Sequence, residues 1–157
     1  MAGLVTDDIE RRLRRVEDRL AIADLIAAYG PAVDRGDAVA VAGLWVEGGT
    51  FRVDGTTIPQ AEMAWIVDND THRGYLTAGC AHVISAPAVE IQGDTAVAVT
   101  HSVVLIHRGD QWIAERASAN RWDFVRTPAG WRIRDRVNRL LDGDAEARAL
   151  LGSADPF

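Results

Sequence analysis

His82 stands in the apolar run LTAGCAHVISAP, residues 76–87. A histidine among Ala, Cys, Val and Ile needs either a hydrogen-bond partner or a chemical task, because a buried polar group left unpaired is costly. Read as a strand, the run places His82 on one face with Ala78, Cys80 and Ile84. On a concave face His82 looks into a pocket; otherwise it is a core histidine bonded to a backbone carbonyl. Asp34 is the candidate partner. It follows Gly30-Pro31 among Pro, Ala and Val, where a solvated helix face would not place an acid. An aspartate holding one ring nitrogen leaves the other free to take a proton, which is the arrangement of a general base. The alternative for Asp34 is a helix-end cap. Tyr29 precedes it by five residues, about 140° around an ideal helix. A kink at Gly30-Pro31 would bring the two together, and the Tyr29 hydroxyl would then polarise a carbonyl or protonate a leaving group. Without it, Tyr29 is one more member of a core stripe.

Two further polar positions sit on predicted strand faces. His101 alternates with Val97, Val99, Val103 and Leu105, and Asn120 aligns with Ser118 and Trp122. Each is a candidate pocket residue or a satisfied core polar. His72 and His107 fall near predicted element ends and read as surface. The four histidines show no H-x-H or H-x₃-H spacing, so no metal is expected. Neither a Gly-rich phosphate loop nor a G-x-S-x-G elbow occurs. The one cysteine, Cys80, excludes an internal disulfide and a Cys-based zinc cluster. The chemistry to expect is proton transfer with no cofactor. Arg132, Arg134, Arg136 and Asn138 form the polar face of the last strand, opposite Trp131, Ile133 and Val137; taken alone, that is a solvated edge.

The elements that must position these residues fall into two halves. Ile9, Leu13, Val16 and Leu20 recur at helical spacing, and Ile22, Ile26, Tyr29 and Val33 carry a second stripe. Thr6 is the expected N-cap, with Asp7 and Asp8 in the first turn. Gly30-Pro31 is expected to kink the helix and RGD (35–37) to end it. Asp37 then caps a short helix, and another is expected over QAEMAWIVDND with Pro59 at its first position. From residue 76 the period changes to two: YLTAGCAHVIS, AVEI, TAVAVTHSVVLIHRG, QWIAERASANRWDFVRT and GWRIRDRVNRLL are strands separated by QGD, RGDQ and TPAG turns. A short pair around TFRV and TTI flanks the hairpin dipeptide DG. Helices followed by long antiparallel strands define an α+β fold, with a strongly curved sheet closed by the N-terminal helices into a cone. Its open interior is where a small ligand would sit.

At 157 residues the chain is expected to be a single domain, with a core over about 8–142 and a helical tail at 143–157. A formal net charge of −6 argues against non-specific nucleic-acid binding. The arginines of ERRLRRVEDR are interleaved with acids, as on an exposed helix face. No apolar signal core and no run of eighteen apolar residues occurs, so the expected location is cytoplasmic, away from membranes. An exposed sheet face bearing Trp112, Trp122 or Trp131 would be a costly patch on a monomer, so a homo-oligomer is expected.

The order helix, VDRGD, LW and TF, then CAH and VRTPAGWRIRDR, resembles the SnoaL-like proteins of the nuclear-transport-factor-2-like superfamily, over residues 8–142. The nearest branch is the one holding scytalone dehydratase, bile-acid dehydratase and hexachlorocyclohexane dehydrochlorinase. The resemblance implies a cone-shaped α+β barrel and a His–Asp dyad, His82 with Asp34, acting as a cofactor-independent base for elimination. It also implies roles for Tyr29 and Arg136, pocket positions at Cys80 and Phe51, and a trimer ahead of a dimer. The pattern departs at Asn120 and Trp122, which replace a tyrosine and an acid on the pocket wall. The implied activity is that of a lyase or isomerase on a small hydrophobic cyclic molecule such as a steroid, terpenoid or polyketide. A polyketide-type cyclase and a non-catalytic ligand-binding or assembly module are the alternatives in the same fold.

Overall fold

The computed structural model describes residues 2–155. One helix, α1 (Ala2–Asp34), carries the whole N-terminal region. It begins ahead of Thr6, which therefore lies inside the helix and does not cap it. It also runs through Pro31 without a break. The amide lost at Pro31 would have bonded the carbonyl of Ala27, an exposed residue whose carbonyl water can serve. The two apolar stripes have opposite fates. Ile22, Ile26, Tyr29 and Val33 are buried in the core with Trp45, Phe51, Trp122, Phe124 and Ile133. Ile9, Leu13, Val16 and Leu20 keep 57, 55, 54 and 60% of their surface exposed. Among the side chains described, burial on α1 begins at Asp18. Its carboxylate accepts both Arg126 Nη atoms at 2.8 Å and Trp131 Nε1 at 2.9 Å, holding its pKa below the usual aspartate value.

After α2 (Ala38–Gly43, capped by Asp37) come β1 (Trp45–Val53) and β2 (Thr56–Pro59). Asp54 and Gly55 join them with φ of 50° and 78°, the left-handed pair that a two-residue hairpin demands. The helix expected from Pro59 is broken up: Pro59 ends β2, and a 3₁₀ turn (Gln60–Glu62), α3 (Trp65–Asp68) and α4 (Asp70–Ala78) follow. Tyr75 to Ala78 are therefore helical, and Ala78 shares no strand face with His82. Gly79, at φ 103°, stops α4 and starts β3 (Cys80–Ile84).

The remaining strands are β4 (Ala88–Gln92), β5 (Thr95–Arg108), β6 (Gln111–Thr127) and β7 (Gly130–Leu140), followed by α5 (Ala145–Leu151). The seven strands form one sheet in the order β2-β1-β7-β6-β5-β3, with β4 also on β5. Only β1–β7 is parallel. Register shifts interrupt the β1–β7, β5–β6 and β6–β7 ladders, and such bulges bend and twist strands of this length. The α+β architecture is as expected. Trp122 and Trp131 are 0 and 3% exposed, buried in the core, so the expected tryptophan surface patch reduces to Trp112 at 58%. Among the described residues, no helix is long and apolar enough to cross a membrane.

Candidate active site

α1 crosses β3 at close quarters. A side chain at Gly30 would collide with the backbone carbonyl of His82, so only glycine lets the two backbones meet there. One turn later Asp34 reaches the strand. Its carboxylate accepts His82 Nδ1–H at 2.7 Å and the His82 backbone N–H at 2.9 and 3.1 Å. The Cys80 thiol donates to the same Oδ1 at 3.6 Å. Burial works against the ionised Asp34 carboxyl, but the His82 and Cys80 donors outweigh it and hold its pKa below the usual value. An ionised carboxylate has no proton to give, so Nδ1 is the donor and, in the neutral ring, Nε2 of His82 carries the lone pair. The kink needed to unite Asp34 and Tyr29 is unnecessary: Asp34 sits behind the imidazole, while Tyr29 lines the cavity in front.

That cavity has a volume of about 230 Å³ and is walled by Tyr29, Phe51, Ile58, Ile66, His72, His82 and Arg136, with Ser102, Val103, Val104 and Arg116. Arg136 is its most unusual member. Its guanidinium is buried, stacked 4.2 Å over Tyr29, 4.5 Å over Phe51 and 4.0 Å over Trp122. Nε and Nη2 donate to Asn120 Oδ1 at 3.1 and 2.8 Å, and Nη1 has no hydrogen-bond partner among the described residues. Burial pulls its pKa down, and the neighbouring Tyr29 hydroxyl is the main group opposing that. A buried cation held by an amide and three aromatic faces has its attraction for negative charge largely unspent.

The structure sorts the expected pocket residues. His82, Tyr29, Phe51, Arg136 and Val103 line the cavity; Asp34 and Cys80 sit behind His82. His101 is exposed and Leu105 lies outside the lining: the inward face of β5 is the even-numbered one, Ser102 and Val104, and Val103 is the odd-numbered β5 residue that still borders the cavity. Pairing explains this: Ile84 faces Ser102 and His82 faces Val104. Asn120 and Trp122 point inward, yet they act from beneath. Asn120 takes Arg136 and Asn138 on Oδ1 and donates to Ser102 Oγ at 2.9 Å, and Trp122 Nε1 donates to Thr100 Oγ1 at 3.0 Å. Arg136 itself faces inward, not along a solvated edge. The register between β6 and β7 steps from Phe124–Ile133 to Asp123–Asp135, leaving Arg134 as an extra residue that flips the face.

His72 and Arg116 are the residues that sequence reasoning misses. Arg116 is bidentate with Asp54 at 2.7 and 2.9 Å and also donates to Asn138 Oδ1. His72, read as surface, is 5% exposed, with its ring centroid 5.6 Å from that of His82. Its Nδ1 meets the Val67 carbonyl at 3.3 Å, leaving Nε2 buried with no partner among the described residues. The only signal was its place in the first turn of α4, where Asn69 caps its backbone N–H. Burial lowers the His72 pKa below 6.5. As pH falls below about 6.5 the unfolded chain gains a proton that folded His72 resists, so stability falls over that range. Melting curves from pH 7.5 to 5.0 should show a smaller acid-side loss for His72→Gln than for the parent; equal slopes refute this.

His72, Cys80 and His82 also bring potential ligand atoms within 4.8 Å of one another, a grouping that the linear spacing hid. A metal there would have to draw the Cys80 thiol away from Asp34, although His82 could ligate through Nε2 with its Nδ1–Asp34 bond intact. It would also have to deprotonate a thiol whose pKa, chiefly through burial and then the Asp34 charge, is pushed up to about 11. The cost of a metal therefore falls on Cys80, and the site as it stands is hydrogen-bonded for proton transfer. The same shift predicts an inert thiol. Cys80 should alkylate with iodoacetamide at neutral pH about a hundredfold more slowly than an ordinary cysteine, since only the thiolate reacts. A rate like that of free cysteine refutes it.

A long helix laid over a bent sheet, with a cavity between them, is an α+β architecture. A SnoaL-like domain model matches residues 14–137, and the chain belongs to the SnoaL-like family. It is similar to an NTF2-like protein with a cystatin-like fold from Novosphingobium aromaticivorans, at 49% identity and a TM-score of 0.90 over 92% of this chain and 96% of that one. The hexachlorocyclohexane dehydrochlorinase LinA-type3 of Novosphingobium barchaimii shares the fold at 20% identity and a TM-score of 0.71, over 83 and 90% of the two chains. Aln2 of a Streptomyces species does so at 21% and 0.70, over 83 and 94%. No curated protein matches the chain.

Proposed function

We propose that this protein is a cofactor-independent proton-transfer enzyme, a dehydratase-like lyase or an isomerase, acting on a small hydrophobic cyclic molecule. The observation that carries the reading is the His82–Asp34 bond at 2.7 Å on the wall of a cavity that also holds a buried Arg136 with a free Nη1. His82 Nε2 takes a proton from a carbon next to an activating carbonyl. Asp34 stabilises the imidazolium that forms. The electron pair left on carbon moves toward the carbonyl oxygen, where Arg136 and the Tyr29 hydroxyl face the developing charge. It then either expels a β-hydroxyl, which leaves as water with a proton returned by His82, or collapses with reprotonation elsewhere. The first path is elimination and the second isomerisation.

The cavity suits a one- or two-ring molecule, or one end of a longer one, since typical ligand pockets start at about 300 Å³. The dehydrochlorinase among the similar structures supports elimination by its name, and the shared fold is compatible with it. The test is a panel of cyclic β-hydroxyketones, whose loss of water produces a conjugated enone visible by ultraviolet absorbance. Turnover by the parent chain that vanishes in His82→Ala supports the proposal. Turnover that survives in His82→Ala removes His82 as the base. A non-catalytic binding module would instead show ligand-induced stabilisation with no turnover of any member, and His82→Ala would change only melting.

A further inference from the structure

We propose that copies of this chain associate through the projecting half of α1, as a parallel, in-register bundle of helices. Residues 6–17 are exposed on every face of the helix. An isolated helix of that length is marginal in water unless an apolar face is packed. Its apolar face is present and unused. Ile9, Leu13, Val16 and Leu20 are spaced 4, 3 and 4 apart, the alternation of d and a positions in a heptad. All four are more than half exposed. The seam continues into the body's half of the helix as Ala23 and Ala27, small enough for a neighbouring helix to pass.

The charges say which occupant fits. With Ile9 and Val16 at d, the e positions are Glu10, Glu17 and Asp24, and the g positions in this stretch include Arg12 and Arg19. In a parallel pair each g residue meets the e residue five positions later on the other helix. That sets Arg12 against Glu17 of a second copy and Arg19 against Asp24, and symmetry repeats both pairs. An antiparallel pair would set arginine against arginine and acid against acid. The pattern is complementary to itself in one orientation, so a second copy of this chain is the occupant. Arg19 already donates Nη1 to the Val89 carbonyl at 3.0 Å, and its other guanidinium nitrogens remain for the pair.

The body leaves room for the contact. Asp18, whose carboxylate anchors the helix to Arg126 and Trp131, occupies the f position, directly opposite the seam. Of the residues that enter the core, Ile22 and Tyr29 are at c and Ile26 at g. The body therefore lies along the c, f and g side of the helix, and the seam is bare over Ile9, Leu13, Val16 and Leu20. Leucine at a with β-branched residues at d favours bundles of more than two strands.

Light scattering on the full chain at tens of micromolar tests this. The expected mass is a multiple of 17.0 kDa, falling to the single-chain mass in Leu13→Glu/Val16→Glu with unchanged melting of the body. Single-chain mass in the parent, or an oligomer indifferent to that double variant, overturns the proposal. Orientation has its own readouts. Ile9→Cys should crosslink to itself on oxidation in a parallel bundle, whereas an antiparallel one sets residue 9 near residue 20. Arg12→Glu alone should weaken association several-fold and Arg12→Glu/Glu17→Arg should restore it. Strengthening by Arg12→Glu alone would overturn the parallel arrangement.

Discussion

Asp34→Asn is expected to cut turnover of a genuine substrate by about 10²–10⁴-fold while leaving the chain folded. The reason lies in the tautomer. Asp34 now accepts from His82 Nδ1 at 2.7 Å and from the His82 backbone N–H, so Nε2 presents its lone pair to the cavity. The amide of asparagine can still accept the backbone N–H through its oxygen. Its NH₂ would then face Nδ1 as a donor, which moves the ring proton to Nε2 and presents substrate with a donor where a base is needed. The imidazolium also loses its counter-charge. Two measurements separate this from simple misfolding. Melting should shift by only a few degrees, and Cys80 should alkylate faster, since the Asp34 charge is one of the causes holding its thiol protonated. Undiminished turnover in Asp34→Asn would show that the pair is structural.

Gly30→Ala is the second large effect, and its sign is the opposite of what helix propensity dictates. Within a helix, alanine is favoured over glycine by about 0.8–1 kcal/mol. Gly74 in α4 has open space where a Cβ would go, so Gly74→Ala should stabilise by up to about that amount. At Gly30 the added carbon meets the carbonyl oxygen of His82, backbone against backbone, with no side chain that can rotate away. Relief requires α1 to back off β3, and overpacking of that kind costs about 1–3 kcal/mol. For a chain of this size that is a fall in melting temperature of roughly 3–10 °C. Activity should fall further than stability, because Asp34 rides on the same helix one turn later. A Gly30→Ala variant as stable and active as the parent would mean that α1 does not rest on β3 as described.

The sequence by itself determined the change from helical to strand period, the hairpin at Asp54-Gly55 and the α+β class, and it offered Asp34 as a candidate partner for His82 without fixing the pair. These follow from period, turn chemistry and the demand of a buried imidazole for an acceptor, all carried by local residue types. What it left open were matters of register and direction. A strand's period of two says which residues share a face but not which face turns inward, so His101 and Leu105 were assigned to the pocket when Ser102 and Val104 hold that side. One extra residue at Arg134 reverses the parity of β7 and carries Arg136 from an apparent solvent edge into the core; no local signal marks a bulge that exists only because β6 and β7 pair on both sides of it. His72 is a functional candidate only because α4 folds back over β3. The two stripes of α1 are equally apolar, and periodicity could not tell the one buried by the sheet from the one left bare. Among the side chains described, the helix is buried from Asp18 onward, and that limit belongs to the tertiary structure.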